Sequence, residues 1–385
     1  MRVAVLYPAP APYREKLFLE FSRLRDIDLC VYYCARSLSY RDWKFISEDY
    51  QSKVLPGREY GEGVLVNPGI INILRKERPD IMVVWGWSFP TAIIALIEAY
   101  FLKIPTVVFS DTGMAYKKYS KTVDKTLKKI KIFLTKFPQA FIVQGKLSRD
   151  FLLRLGVPID RVNILPINSV DTHYLYSQSL LVRQDANHIK EQMGIRGKRV
   201  IIFIGNLEPR KGFPILLEAF TFLRQEAPDL ALLAVGEGPQ RKDLEAIISR
   251  RRLPDVHLVG SQPYEILPRF LGISDCLVLP TLADHWPLVV VEALACGLPV
   301  VTSSRCGSAP ELIEGKGTGI AVEPLDAWSL AQGIKKILAL PPKDREALSR
   351  RALATAAAYD YRLAAKGLAE MLFQVWSRFS GSKKG

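Results

Sequence analysis

The sequence predicts an α/β protein made of two doubly wound parallel sheets. Its 385 residues are about twice the usual length of one domain, so two hydrophobic cores are expected. Short apolar runs alternate with helical runs along most of the chain, which is the pattern of parallel strands joined by crossover helices. The alternation occurs in two series, and a looser segment separates them.

The first series covers residues 1–168 and predicts an N-terminal Rossmann-like domain. Its strands are predicted at residues 3–6, 28–33, 81–85, 106–109, 141–143 and 162–165. Its helices are predicted between them, at about residues 13–24, 67–76, 91–101, 116–136 and 146–155.

The second series predicts a C-terminal Rossmann-like domain over residues 196–361, after a linker at 169–195. Its strands are predicted at residues 200–204, 231–235, 257–258, 276–279 and 299–302. Its helices are predicted near residues 212–225, 239–251, 263–271, 288–296, 309–314, 328–338 and 343–359. In such sheets ligands bind at the carboxyl ends of the strands, so a cleft between two facing sheets is the expected site.

Composition indicates an ordinary globular chain, with 49% hydrophobic and 24% charged residues. The five cysteines show neither CxxC spacing nor a nearby histidine, so we expect reduced thiols and no zinc site. The start of the chain resembles a first strand rather than a signal peptide. The apolar stretch 91–109 is interrupted by Glu98, Lys103 and Pro105, which argues against a spanning helix. We therefore expect a cytoplasmic protein.

The net charge of +14 is concentrated in residues 1–168, which hold 26 Lys and Arg against 16 Asp and Glu. The densest run, Lys117 to Lys136, has eight lysines and one acid and predicts an amphipathic helix. One interpretation is a solvated basic face over a core stripe. The other is a docking surface for an acidic acceptor or for anionic lipids, which would place the protein peripherally at the inner membrane face. No nucleic-acid motif accompanies the charge.

Two glycine turns follow predicted strands in the second series. In VIIFIGNLEPRKGFPILLEAF, Arg210 and Lys211 stand at the start of a helix, where the macrodipole disfavours a cation unless an anion such as a diphosphate binds there. A solvent-facing basic loop is the alternative. In LLAVGEGPQRKDLEAII, Gly236 and Gly238 form a GxG turn that is weak evidence alone but falls in step with the first motif.

A third motif, DHWPLVVVEALACGLPVV, carries two acids eight positions apart. Asp284 precedes a helix and Glu292 lies within it. One interpretation is purely structural, with Asp284 as a cap or turn residue before the helix and Glu292 as an ordinary acid within it. The functional interpretation is that one holds sugar hydroxyls and the other holds ribose hydroxyls, with the helix N-terminus facing phosphates.

The order IGNLEPRKG, VGEGP, DHWPLVVVEALACGLPVV and CGSAPELI resembles the GT-B-fold glycosyltransferases of family 4 in group 1. The resemblance implies two Rossmann-like domains facing a central cleft, with helix 362–379 completing the N-terminal acceptor domain. It assigns the donor diphosphate to Lys211, the ribose to Glu292 and the donor sugar to Asp284. Asp284 stands where the family has Glu, and Asn206 stands where it usually has Arg. The hypothesis is that Arg210 compensates.

The resemblance also implies further contacts. Residues along the donor site would include His285, Trp286, Leu288 and Val289. The family often has a histidine at the end of an N-domain strand, and Ser110-Asp111 occupies the matching place here. Asp111 is therefore the candidate to accept the acceptor proton or to orient the donor, although capping a turn is an equal alternative.

Two acceptor candidates lie in the first series. Arg14 follows the PAPAPY turn and would meet the donor or the acceptor. Trp87, in the segment WGWS, offers an aromatic surface for a sugar ring, whereas for Trp85 a core role is at least as strong an expectation.

By resemblance, the chain is a retaining enzyme that moves sugar from a nucleotide-diphosphate sugar to a saccharide or lipid-linked acceptor. It would need no metal and no cofactor, and it would act in polysaccharide or glycolipid synthesis. Two other classes stay open. One is a nucleotide-sugar epimerase, and the other is a catalytically silent sugar-nucleotide-binding scaffold.

Overall fold

The computed structural model describes residues 1–38, 49–61, 63–87, 89–110 and 129–381. These residues form two compact units. The first is Met1–Ser169 together with Tyr361–Gly385, and the second is Val170–Asp360. The first unit is therefore built from both ends of the chain.

The first unit contains a seven-stranded parallel sheet in the order β3-β2-β1-β6-β7-β8-β9. Its strands are β1 (Arg2–Tyr7), β2 (Asp28–Tyr33), β3 (Gln51–Val54), β6 (Ile81–Trp85), β7 (Thr106–Ser110), β8 (Ala140–Val143) and β9 (Val162–Ile164). A separate antiparallel hairpin pairs β4 (Arg58–Tyr60) with β5 (Val64–Val66). The central strands are buried on both faces, as helix-covered parallel strands must be.

Helices cover both faces of this sheet. They include Pro12–Ser22, Ile70–Glu77, Pro90–Phe101, Lys146–Arg154 and Tyr361–Gly381. Phe18 and Phe21 of helix Pro12–Ser22 share a core with Leu368 and Leu372 of helix Tyr361–Gly381. Residues 129–134 are also helical, and the rest of the predicted basic helix, residues 116–128, lies outside the described residues, as does Asp111.

The second unit contains a six-stranded parallel sheet in the order β12-β11-β10-β13-β14-β15. Its strands are β10 (Arg199–Ile204), β11 (Leu230–Val235), β12 (Val256–Gly260), β13 (Cys276–Leu279), β14 (Val300–Ser303) and β15 (Gly319–Val322). Its helices are Thr172–Gln184, Ala186–Gln192, Phe213–Glu226, Arg241–Arg250, Leu267–Gly272, Leu288–Ala295, Ala309–Leu312, Ala327–Leu338 and Pro342–Ala357. Every strand predicted for this unit and for the first corresponds to an observed strand.

The structure corrects the prediction of a linker at residues 169–195. It forms helices Thr172–Gln184 and Ala186–Gln192 within the second unit, and Leu175, Ile189 and Ile195 are buried in the core of that unit. Asp171 begins the first helix, since its side chain accepts a hydrogen bond from the Tyr174 backbone N–H at 3.1 Å. Widely spaced apolar residues among polar ones made this segment resemble a loop.

Among the described helices, none combines the length and the apolar character that crossing a membrane requires.

Candidate functional site

The loops that follow β10 and β11 lie directly against each other in the second unit. The Leu207 backbone N–H donates to the Glu237 carbonyl at 2.8 Å. A Cβ atom on Gly236, which has φ +142°, would lie 2.0 Å from the Gly205 carbonyl oxygen, and one on Gly238 would lie 2.5 Å from that of Leu207. Only glycine allows this approach of two backbones. The GxG motif is thus a close-packing feature at the carboxyl edge of the sheet.

Lys211 and Arg210 follow the first of these loops, in the short 3₁₀ turn Pro209–Lys211 that precedes helix Phe213–Glu226. Gly212 then adopts φ +72°, and a Cβ atom there would lie 2.1 Å from the Pro280 carbonyl oxygen. The Arg210 carbonyl accepts a hydrogen bond from the Leu282 backbone N–H at 2.7 Å. These contacts fasten the basic turn to the loop that follows β13.

Four charged side chains meet at this junction. The Lys211 Nζ lies 2.5 Å from Oδ2 of Asp284, and Nη1 of Arg210 lies 3.7 Å from the same oxygen. Nη2 of Arg210 also lies 2.6 Å from Oε1 of Glu208. The Lys211 and Asp284 side chains are only 11% and 12% exposed. The structure therefore brings three predicted site residues together and adds Glu208, which the sequence motif contained but did not mark.

The backbone around Asp284 is held by the loop that follows β14. The Gly307 backbone N–H donates to the Asp284 carbonyl at 2.8 Å, and Asp284 forms a parallel bridge with Cys306. A Cβ atom on Gly307 would lie 1.9 Å from the His285 carbonyl oxygen. Gly307 is thus a second residue that sequence reasoning missed, although it lies in the segment CGSAPELI.

Glu292 lies on helix Leu288–Ala295 and is 6% exposed. No described group hydrogen bonds to its carboxylate, and burial raises its pKa from 4.5 to about 7. Burial also raises the pKa of the neighbouring Tyr264, and the charge of Glu292 adds to that effect. A buried carboxylate without a partner is able to accept hydrogen bonds from ligand hydroxyls.

The other predicted donor residues differ in exposure. Trp286 and Val289 belong to the core of the second unit, at 7% and 9% exposed, and the Trp286 ring packs 5.7 Å from that of Tyr359. The Trp286 Nε1–H is buried without a hydrogen-bond partner. His285 and Asn206 are exposed, and Leu288 is half-buried. Helical periodicity turns Val289 inward, so direct donor contact by its side chain stays a prediction without structural support.

The two acceptor candidates of the first unit are interior residues. Arg14 is 4% exposed, donates to the Ile167 carbonyl at 2.5 Å, and lies over the Trp85 ring at 4.9 Å. Trp87 is 2% exposed and packs edge-on against Phe141. The exposed aromatic surface expected at Trp87 is therefore absent, because the ring fills the core beneath the sheet edge.

We find no metal-binding cluster in the part of the chain that the structure describes. Such a cluster would need three or more His, Cys, Asp or Glu side chains placed to hold an ion.

Sequence comparison identifies relatives of part of the chain. The family profile described as "Glycosyl transferases group 1" matches residues 185–355. Alpha-D-kanosaminyltransferase of Streptomyces kanamyceticus is 29% identical over 180 residues, which are 46% of each chain. The GDP-mannose-dependent alpha-(1-6)-phosphatidylinositol monomannoside mannosyltransferase of Mycolicibacterium smegmatis is 32% identical over 40% of this chain and 42% of its own. These alignments span less than half the length of either relative.

Structural comparison covers nearly the whole chain. Anabaena HepE in complex with UDP aligns with a TM-score of 0.78 over 97% of this chain and 100% of its own, at 20% identity. WaaG, a glycosyltransferase involved in lipopolysaccharide biosynthesis, aligns with a TM-score of 0.67 over 96% and 99%, at 19% identity. The chain thus has the GT-B fold of these two structures, and its residues 185–355 match the group 1 glycosyl transferase family.

Proposed function

We propose that this chain is a retaining, metal-independent glycosyltransferase of the family 4 type that takes sugar from a nucleotide-diphosphate sugar. The observation that carries the proposal is the junction of Lys211, Arg210 and Asp284 with the glycine turns at the carboxyl edge of the second sheet. The UDP bound to a structure of the same fold supports a nucleotide donor.

In this proposal each group has one task. The Lys211 ammonium exchanges its partner Asp284 for the donor diphosphate and stabilises the charge that develops as the diphosphate leaves. Arg210, which already lies within 4 Å of two carboxylates, supplies the second cation in place of the arginine that Asn206 replaces. Glu292 accepts hydrogen bonds from the ribose hydroxyls. Asp284, once released from Lys211, contacts the sugar.

The acceptor side of the proposal rests on sequence resemblance and on the names of similar proteins. Arg14 and Trp87 are interior in the described structure, and Asp111 keeps its proposed role as proton acceptor from sequence resemblance alone. Two similar proteins carry phosphatidylinositol monomannoside or phosphatidylinositol in their names, which supports a lipid-linked acceptor beside a saccharide one. A biosynthetic role in glycolipid or polysaccharide formation follows from either.

The test begins with a thermal-shift panel of UDP-, GDP- and ADP-sugars, because a ligand at 100 times its Kd stabilises a protein by about 2.7 kcal/mol. Hydrolysis of the best donor is then compared between the wild type, Lys211→Ala and the exposed-lysine control Lys242→Ala. We expect Lys211→Ala to lose about 10²-fold to 10³-fold in rate. Equal rates in all three chains would refute the proposed role of Lys211.

Three further measurements separate the alternatives. The anomeric configuration of the product, read by NMR, decides between retention and inversion. Activity that is lost with EDTA and restored by manganese would refute metal independence. Isomers of the donor formed without an acceptor would indicate an epimerase, and stabilisation by a donor without hydrolysis or transfer would indicate a silent scaffold.

A further inference from the structure

A cavity of about 290 Å³ lies within the first unit, at the amino ends of β8 and β9. Ala140, the first residue of β8, and Asn163, the second residue of β9, both line it. Met371 and Arg378 of helix Tyr361–Gly381 line it as well. Ligands of parallel sheets bind at the opposite, carboxyl ends of the strands, so the proposed transfer reaction does not use this cavity.

Two guanidinium groups line the cavity without an ion pair to any residue that the structure describes. Arg161 is half-buried, and its Nη2 donates to the Thr135 carbonyl at 2.7 Å. Burial lowers the pKa of the Arg161 guanidinium, and the charge of the nearby Asp160 offsets only part of that effect. Arg378 is exposed at the cavity. A partly desolvated cation that lacks a counter-ion is costly, so the cavity favours an anion.

The other lining groups suit a ligand that also carries hydroxyl groups and an apolar face. Asn163 and Gln374 present amides, and the Asn163 Nδ2 is held by a backbone carbonyl of β8 at 3.3 Å. The exposed Asp160 presents a carboxylate, which repels a bare anion but accepts hydrogen bonds from hydroxyls. The buried Met371 and the half-buried Phe379 add apolar surface. This combination fits a sugar ring with one anionic group.

We propose that this cavity binds an anionic monosaccharide, either a sugar phosphate or a uronic acid. Arg161 and Arg378 pair with its phosphate or carboxylate, because the planar fork of an arginine matches both groups. The cavity volume lies at the lower end of the range of about 300–1,000 Å³ that holds drug-sized ligands, which suits a single sugar ring rather than a nucleotide sugar. The inference goes beyond the proposed function, since this cavity is separate from the junction of Lys211 and Asp284.

The test is isothermal titration of the full chain with glucose 1-phosphate, mannose 1-phosphate, glucuronate and galacturonate. We expect at least one of these acidic sugars to bind at least about tenfold more tightly than glucose and than inorganic phosphate, since each of those lacks one of the two recognised features. Whether a phosphate or a uronate binds best identifies the anionic group. Binding of none of the four would overturn the proposal. Inorganic phosphate or glucose binding as tightly as the best acidic sugar would overturn it as well.

Two arginine variants locate the binding. Arg378→Gln should weaken binding of the best acidic sugar by at least about tenfold, because one charge-assisted contact is lost. Arg161→Gln should weaken it too, but this variant also removes the hydrogen bond to Thr135, so Arg378→Gln decides the test. The matched control is Arg58→Gln, which removes an exposed arginine from the hairpin of the same unit and should bind like the wild type. Wild-type-like binding by Arg378→Gln would overturn the proposal.

The variant Lys211→Ala distinguishes this cavity from the proposed donor site. Binding of the best acidic sugar should be unchanged in Lys211→Ala, and its loss there would place the sugar at the junction in the second unit and overturn the proposal. Donor hydrolysis by Arg378→Gln should equal that of the wild type. Failure of the proposed function and failure of this second site are therefore measured separately.

Discussion

The ammonium of Lys211 lies 2.5 Å from the carboxylate of Asp284, in a pair whose side chains are almost enclosed. In the proposed function these two groups have different ligands, a phosphate and a sugar. An internal carboxylate therefore neutralises the lysine in the structure, and in the proposed function the donor diphosphate has to displace that carboxylate. Part of the binding free energy of the donor is therefore lost in breaking the Lys211–Asp284 ion pair, which is partly desolvated.

Asp284→Asn should therefore bind a nucleoside diphosphate more tightly than the wild type does. Without the carboxylate, Lys211 loses its ion pair while Arg210 keeps its pair with Glu208, and we expect a gain of about tenfold, or about 1.4 kcal/mol. Sugar transfer should fall at the same time, because Asp284 is the proposed sugar contact. Isothermal titration with UDP, GDP or ADP measures the first effect. Weaker diphosphate binding in Asp284→Asn would contradict this interpretation, and the double variant with Lys211→Ala should lose the gain.

Arg210→Ala should weaken donor binding by about tenfold, the same order as loss of one charge-assisted contact to phosphate. Its guanidinium is 38% exposed, so the loss of its pairs with Glu208 and Asp284 should cost at most about 1 kcal/mol of stability. Titration with the donor and thermal unfolding separate the two effects. The control is Arg196→Ala, which removes the exposed pair with Glu191. Unchanged donor affinity in Arg210→Ala would contradict the hypothesis that Arg210 compensates for the arginine that Asn206 replaces.

The strands were predictable because parallel strands covered on both faces are continuous apolar runs, as IMVVW in β6 illustrates. β3 was not predictable, because its sequence QSKV is polar and alternates between exposed and half-buried positions. β15 was not predictable either, because it consists of only the four residues GIAV. The segment 169–195 was misassigned because its helices bury few residues each. Local patterns predict an element when its burial is continuous, and they fail when tertiary packing alone holds it.

The residues of the candidate site were predictable from local sequence, but the contacts between them were not. Lys211 and Asp284 were identified as site residues because each stands at a helix start after a strand, a local signal. Their ion pair spans 73 positions in the chain and depends on how the loops after β10 and β13 pack, which no local pattern encodes. For Trp87 the local pattern was misleading. In WGWS the alternation of side chains cannot tell which ring faces outward, and both are buried.

Glu292→Gln should change how stability depends on pH. Below about pH 4.5 the carboxyl is protonated in both the folded and the unfolded chain. As the pH rises to about 7 the unfolded chain releases the proton while the folded chain keeps it, so the wild type loses stability across this window. The loss is about 3 kcal/mol. Glutamine at this position avoids it.

The measurement is urea unfolding of Glu292→Gln and the wild type at pH values on either side of that window. We expect the stability of the variant relative to the wild type to increase with pH and to level off above about pH 7. Glu218→Gln, which removes an exposed carboxylate from the same unit, is the matched control. A difference between variant and wild type that is independent of pH would mean that the Glu292 carboxyl is not desolvated.

Gly236→Ala should damage both the stability of the second unit and donor binding. The added Cβ would lie 2.0 Å from the Gly205 carbonyl oxygen, so the two loops at the carboxyl edge of the sheet have to separate. We expect a loss of at least about 2 kcal/mol. Gly197→Ala is the matched control, because Gly197 also has a positive φ, +75°, but its Cβ would meet nothing within 4 Å.

The Gly197→Ala control should lose only the cost of the backbone strain, about 1 kcal/mol, and keep its thermal shift with the donor. Thermal unfolding with and without the nucleotide sugar measures both quantities for both variants. If the GxG turn only packs the two loops together and has no part in donor binding, Gly236→Ala would keep the donor-induced thermal shift, as Gly197→Ala does. A selective loss of the donor-induced shift in Gly236→Ala would tie the close approach of the loops after β10 and β11 to the phosphate site, since Lys211 reaches Asp284 from the first of those loops.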